Sequence, residues 1–251
     1  MIVKKRGSAV KIVAKTDVGM VRESNQDSYT TGELPNGVAW AVVCDGMGGA
    51  AGGNVASSTA VKVIAEQITS SFRPGMSANS IKNMMVSAIN AANISVYDIS
   101  CSNSELYGMG TTVVCAIVME HIAYIAHAGD SRAYIVSHGA LTQLTRDHSV
   151  VQELVEHGKI TALEAKRHPN KNIITRAVGV SREILVDFSE QEMKDGDVLL
   201  LCTDGLTNFV ESDEMCDLTK DDMFYEFAER LVDRANKNGG GDNVTVVAVT
   251  Y

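Results

Sequence analysis

The sequence predicts an α+β chain in which sheets lie between layers of helix, and three observations carry that expectation. Two long segments with helical spacing follow an early apolar strand, a block of short strands joined by tight polar turns comes next, and one more helical segment precedes a closing strand. Helices set apart from hairpin-linked strands, rather than alternating with them, mark α+β layering.

Taken in order, apolar β-branched runs bounded by Gly, Asp or Asn predict strands at about 10–16, 38–44, 111–119, 121–128, 131–137, 184–188, 197–203 and 244–250. Several lack strict alternation, so both of their faces should be covered. Within 54–72, Ala56, Ala60, Val63, Ile64 and Ile68 fall on one helical stripe, which Pro74-Gly75 ends. Within 78–100, Ile81, Met85, Ala88, Ala92 and Ile99 form a second. Over about 220–237, Met223, Phe227 and Leu231 recur at i, i+4 and i+8 before an Asn238-Gly239 stop. Residues about 147–178 are polar and helical only in short pieces, with a break at His168-Pro169-Asn170, and read as an insertion over one sheet edge.

Composition sets bounds on function. A chain of 251 residues that is 45% apolar closes a core without disulfides or structural metal, and three prolines with no Ser/Gly/Pro-rich divider imply one domain over 1–251. The net charge of −9, from 31 acidic against 22 basic residues, repels polyanions and argues against nucleic-acid partners. The densest basic run, Lys4-Lys5-Arg6, reads as a solvated segment. No apolar run approaches the ~20 residues of a membrane span, and no secretory signal is visible. Five cysteines, none in a C-x-x-C pair, read as reduced and mostly buried thiols, so a cytoplasmic location is expected.

The functional signal lies in where the aspartates sit. The run Ala39–Cys44 ends in Asp45-Gly46, and Val198–Thr203 ends in Asp204-Gly205. Asp242-Asn243 opens the last strand, and Ala128-Gly129-Asp130-Ser131 turns between two others. Strand ends hold carboxylates firmly, and the neighbouring glycines let backbone or ligand approach. Any one Asp-Gly pair is ordinarily only a turn, as Asp195-Gly196-Asp197 is expected to be. Carboxylates brought together repel unless a cation neutralises them, and oxygen ligands without His or Cys suit Mg²⁺ or Mn²⁺.

Residues Thr16–Asp27 (TDVGMVRESNQD), Cys44–Gly49 (CDGMGG), Gly110-Thr111-Thr112, Ala128–Arg132 (AGDSR), Leu201–Leu206 (LCTDGL) and Gly241–Thr245 (GDNVT) resemble, in order, the motifs of the PPM or PP2C-type serine/threonine phosphatases. The resemblance spans nearly the whole chain. It implies a four-layer αββα sandwich, two antiparallel sheets flanked by helices, with 147–178 as a flap beside the active site. It implies phosphoserine and phosphothreonine hydrolysis with two Mn²⁺ or Mg²⁺ ions. Asp45 would bridge both, with the Gly46 carbonyl completing one site and Asp204 and Asp242 binding the other ion. Asp130, together with Asp204, matches the place where bacterial members take a third, weaker ion. Asp27 would act through metal-bound water, and Arg22 would hold the substrate phosphate. Partners would be phosphoproteins, among them Ser/Thr kinases and their substrates, and the chain would be a monomer.

The chemistry accounts for these residue types. Two cations ~3.5–4 Å apart lower the pKa of a shared water and offset the charge of a phosphate monoester. Arginine grips phosphate through two parallel hydrogen bonds that lysine cannot reproduce. Two positions depart from the pattern of animal and plant members: Met47 stands where many carry histidine as proton donor, and Gln26 where many carry glutamate. His148, in Arg146-Asp147-His148-Ser149, is a candidate substitute donor, with a structural histidine as the alternative.

Two rival functions remain at this level. Gly46–Ala51 fits G-x-G-x-x-A after a strand, with Glu66 about 20 residues on, as a dinucleotide site asks. Against it, Asp45 would repel a pyrophosphate and the βαβ alternation is missing. A catalytically inactive regulator of the same fold is the other, and the intact aspartates argue against it.

Overall fold

A computed structural model describes residues 10–218 and 224–251. The basic run Lys4-Lys5-Arg6 and Met223 of the predicted helix therefore lie outside the described residues. One sheet has the order β1 (Lys11–Asp17), β11 (Val244–Thr250), β10 (Val198–Cys202), β7 (Arg132–Ser137), β8 (Ala140–Gln143). The second has the order β2 (Asp27–Leu34), β3 (Val38–Met47), β5 (Val113–Met119), β6 (Ile122–Ala128), β9 (Asp187–Glu192), with the short β4 (Gly110–Thr111) paired to the end of β3. The named strands pair antiparallel throughout.

The parity of β3 explains its unbroken apolar sequence. Ala39, Ala41 and Val43 meet Val114, Ala116, Leu199, Leu201, Val247 and Val249 between the sheets. The alternate residues Val38, Trp40, Val42 and Cys44 face the helices α1 (Gly49–Ser71) and α2 (Ala78–Ser102). Across the sandwich, Leu200, Cys202, Val246 and Ala248 pack on α5 (Asp204–Thr207), α6 (Ser212–Leu218) and α7 (Phe227–Lys237) through Leu206, Met215, Phe227 and Leu231. A strand buried on both faces needs no alternation. Each fully buried Ile or Leu here, such as Ile64, Ile68 and Leu199, contributes about 1.5–3 kcal/mol relative to exposure. The order of layers is helix, sheet, sheet, helix, as expected.

Some expectations change. Strands β2 and β8 had no sequence prediction, and the strand expected at 184–188 runs over Asp187–Glu192. These three lie at sheet edges and expose polar residues, so the apolar signal of a strand is weak there. The segments at 111–137 are not one run of hairpins: β5 and β6 pair, but β7 belongs to the other sheet, so residues 129–131 carry the chain across the sandwich. Helix α1 begins at Gly49 rather than near 54, and α5 and α6 were not anticipated. The helix expected over 220–237 is described as a 3₁₀ turn, Phe224–Glu226, followed by α7.

Between β8 and β9 the polar stretch forms α3 (Val150–Glu156) and α4 (Ala162–Ala165). Ser149 caps the first, and Thr161 and Glu164 form a capping box on the second. Bridges Ser149–Ile174 and Thr111–Val178 pin this stretch to itself and to the sheet. The five cysteines are free thiols, three of them buried. Among the described residues, no helix is long and apolar enough to cross a membrane.

Candidate active site

The site forms where both sheets end on the same side. Asp45 comes from the second sheet at the end of β3, Asp204 follows β10 of the first, Asp242 precedes β11, and Asp130 sits on the turn that passes from one sheet to the other. All four line one cleft of about 650 Å³, with Arg22, Glu23, Gln26, Gly46, Met47 and Asn243 among its other walls. The sequence-predicted residues are thus brought together, with one exception of depth. Asp27 is buried, does not line the cleft, and lies opposite Asp45 in the β2–β3 register.

Local structure shows why these side chains sit where they do. The Asp45 backbone is held on both sides: its N–H donates to Thr112 Oγ1 at 2.9 Å, and its carbonyl accepts from Thr111 Oγ1 at 2.7 Å and Thr112 N–H at 2.9 Å. Thr112 in turn meets Ser131 beside Asp130, at 2.7 Å. The two Asp-Gly pairs need their glycines. A β-carbon on Gly46 would lie 2.1 Å from the Gly53 carbonyl oxygen, and one on Gly205 would lie 1.8 Å from that of Asn243. Asn243 accepts from Gln26 N–H at 2.8 Å and donates to the carbonyls of Val18 and Ser24 at 2.9 and 3.0 Å, which ties down the loop carrying Arg22.

The electrostatics are those of a repulsive cluster. Among the described residues, the cleft wall carries five acidic side chains, Glu23, Asp45, Asp130, Asp204 and Asp242, against one guanidinium, Arg22. Burial pushes Asp45 well above the usual carboxylate range, reinforced by Asp27, Asp204, Asp130 and Asp242. Burial and Asp242 raise Asp204, whose Oδ2 accepts from Asn208 Nδ2 at 2.9 Å. Asp130 is pushed up to about 7 by burial and then by Asp204. Arg22 offsets only part of this: Nη2 donates to Asp242 Oδ2 at 2.9 Å, and Nε lies 2.9 Å from Oδ1.

Asp27 completes the picture. Its Oδ2 accepts from the Thr203 and Thr245 hydroxyls at 2.9 and 2.7 Å, while Oδ1 is buried without a partner. Burial pushes its pKa up to about 7 in spite of those two hydrogen bonds. Thr112, Thr203, Thr245 and Asn243 are supporting residues that the sequence did not single out. They lie inside the motifs, but nothing in their spacing marks which hydroxyl or amide reaches which carboxylate. The alternative reading of His148 prevails: it is buried and does not line the cleft, so it is no proton donor there. Asp195–Asp197 is a turn, closed by the Asp197 N–H to the Lys194 carbonyl at 3.0 Å, as expected.

The residues fit hard divalent cations. The donors are all oxygen, several carboxylates share one wall and need positive charge between them, and a buried Asp27 oxygen is left without a donor. The family model for protein phosphatase 2C matches residues 21–245. The chain belongs to the protein phosphatase 2C family. This phosphatase is 38% identical over 236 residues to a serine/threonine phosphatase stp of Listeria monocytogenes, covering 94% of this chain and 93% of that one. Its fold matches the serine/threonine phosphatase of S. agalactiae with a TM-score of 0.90 at 33% identity, covering 96% and 99% of the two chains. It also matches the catalytic domain of the serine threonine protein phosphatase PstP in complex with 2 manganese ions, with a TM-score of 0.83, 32% identity, and coverage of 96% and 97%. In this phosphatase β3 has antiparallel neighbours on both sides, which removes the dinucleotide-site alternative at Gly46–Ala51.

Proposed function

We propose that this chain hydrolyses phosphoserine and phosphothreonine on proteins at the cleft between Arg22 and Asp130, with two Mn²⁺ or Mg²⁺ ions held by Asp45, Asp204, Asp242 and the Gly46 carbonyl. The single observation that carries this is the convergence of Asp45, Asp130, Asp204 and Asp242 from both sheets on one cleft, where burial and mutual repulsion leave them in need of bound positive charge to stay ionised together near neutral pH. When bound, such ions lower the pKa of a shared water and offset the charge of the phosphate. The PstP domain that this fold matches holds two manganese ions, and a third here would take Asp130 with Asp204.

The chain's own residues have separable tasks. Arg22 presents its planar fork to the cleft and now rests it on Asp242; a phosphate offers the same two-oxygen face and takes that place. Asp27 is oriented by Thr203 and Thr245 and keeps Oδ1 free to accept a hydrogen bond. Met47 lines the cleft and has no proton to give. Asn172 and Ile174 of the 147–178 stretch also face the cleft, which supports its role as a flap beside the bound phosphoprotein. Serine/threonine kinases and their substrates are the proposed phosphoprotein class, and the chain is proposed to act as a monomer.

The test is p-nitrophenyl phosphate and phosphothreonine-peptide hydrolysis with Mn²⁺, with Mg²⁺ and with EDTA. Activity should require a divalent cation, vanish in EDTA and be lost in Asp45→Ala. Equal turnover in EDTA would remove the proposal.

A further inference from the structure

Behind the Asp130 turn lies a second group of buried titratable side chains that the reaction does not use. His127 on β6 and His148 at the root of the 147–178 stretch are both buried and stack with ring centroids 4.7 Å apart and planes 4° apart. Asp187, the first residue of β9, closes the group: Oδ2 is 3.1 Å from His148 Nε2, and Oδ1 accepts from Arg176 Nη1 at 2.7 Å. One ligating atom from each of His127, His148 and Asp187 lies within 4.8 Å of the others, which raises a metal site as one reading.

The protons exclude it. His148 Nδ1 accepts the Gly129 N–H at 3.1 Å, so the proton of the neutral ring sits on Nε2 and points at Asp187. His127 Nε2 lies 2.9 Å from the Arg146 carbonyl oxygen, which can only accept, so that nitrogen is protonated too. His148 has no lone pair left for a cation. Burial lowers the pKa of both rings and keeps them neutral.

What the group holds is Gly129. The His148 ring accepts its N–H, and the His148 backbone N–H donates to its carbonyl at 3.0 Å, so the residue before Asp130 is gripped on both sides. The carboxylate of Asp187 can only accept, and so selects the tautomer that leaves Nδ1 a lone pair for Gly129. Arg176 holds the other Asp187 oxygen. One carboxylate therefore anchors both ends of the 147–178 stretch, at His148 and at Arg176, and reaches the Asp130 turn through an imidazole.

We propose that Asp187 and His148 are positioning residues that fix the Gly129–Asp130 turn, set the Asp130 carboxylate against Asp204, and so tune the affinity of the weakest cation site in the cleft. This rests on the assignment of Asp130 as a cation ligand made above. Removing the anchor should weaken that step about 10-fold, the lower end of what partners of metal ligands contribute.

Calorimetric titration of Mn²⁺ into the full chain tests it beside ¹⁵N spectra of the imidazoles. In the wild type, His148 should show a protonated Nε2 and a bare Nδ1; the opposite tautomer overturns the relay. Asp187→Ala and His148→Phe, which keeps the ring volume and loses the acceptor, should each weaken the weakest Mn²⁺ step and leave the tighter steps within about twofold. Asp187→Asn, which keeps an acceptor for Nε2–H, should restore most of the loss. An unchanged weak step in both Asp187→Ala and His148→Phe, with that step abolished in Asp130→Ala, overturns the relay alone. An Asp130→Ala chain that binds Mn²⁺ as the wild type does overturns the assignment beneath it. Should Asp187→Ala fail to fold, His148→Phe and the wild-type tautomer still decide the matter.

Discussion

Two clusters of titratable groups flank the 129–131 turn, and they are built on opposite principles. At the flap root, Asp187 is matched by Arg176 and by the His148 N–H, and each named contact pairs a donor with an acceptor. Burial pushes Asp187 up, yet those two partners outweigh it and hold its carboxyl below the usual range. In the cleft, among the described residues, five acidic side chains share one arginine, and the buried Asp27 Oδ1 has no donor. The first cluster is complete without a ligand; the second is complete only with one. A shortage of positive charge and of donors, more than the presence of acidic residues, is what separates a binding site from a structural knot.

The largest effect is expected at Asp204. Asp204→Asn removes one of the crowded charges, so the metal-free protein should melt higher than the wild type in EDTA. The same variant should lose more than the ~100-fold in activity that a mere partner of a metal ligand can carry. Lower metal-free stability together with lost activity would mean that the carboxylates do not repel.

Arg22 comes next in size. Arg22→Ala should weaken inhibition by inorganic phosphate about 10-fold, the low end for charged hydrogen bonds because the side chain is half exposed. Mn²⁺ affinity should not fall, since Asp242 is released from its present partner. A selective loss of Mn²⁺ affinity would contradict the assignment.

The smallest effect is thermal and follows from the signs of the shifts. Asp27 and Asp130 stand at about 7 in the fold against an ordinary 3.8. The metal-free fold therefore holds extra protons across that window, and the stability they contribute is present at its acid end and lost as pH rises through about 7. In EDTA the melting temperature should be lower at pH 8 than at pH 5.5, and Mn²⁺ should raise it more at pH 8. A melting temperature in EDTA that climbs steadily over this range would count against the cluster. The depressed Asp187, by contrast, is ionised throughout that range and contributes no slope.

How much of this was legible beforehand follows burial. The central strands β3, β10 and β11 are buried on both faces, and their sequences state it. The edge strands β2 and β9 carry sequences such as DSYTTGEL and DFSEQE, whose backbone pairing is real but whose side chains are mostly polar and, Asp27 and Leu34 apart, reach water at least in part, so no apolar period records them. Among site residues, Asp45, Asp204 and Asp242 were legible because each interrupts or abuts an apolar run. The hydroxyls on Asp27 and the imidazole on Gly129 were not. They act across 176, 218 and 19 residues of chain, and only folding brings those partners into contact. The passage from one sheet to the other at 129–131 was likewise hidden, because a hairpin and a crossover use the same turn residues.

That passage has a mechanical consequence. Asp45 belongs to one half of the sandwich and Asp204 and Asp242 to the other, so under the proposed assignment an ion gripped by all three would act as a rivet through two plates that share a greasy core and the hydrogen bonds of Asp27 to Thr203 and Thr245. Shear between the plates and occupancy of the cleft would then become one coordinate: pulling the rivet would loosen the seam, and a slipped seam would blunt the tool.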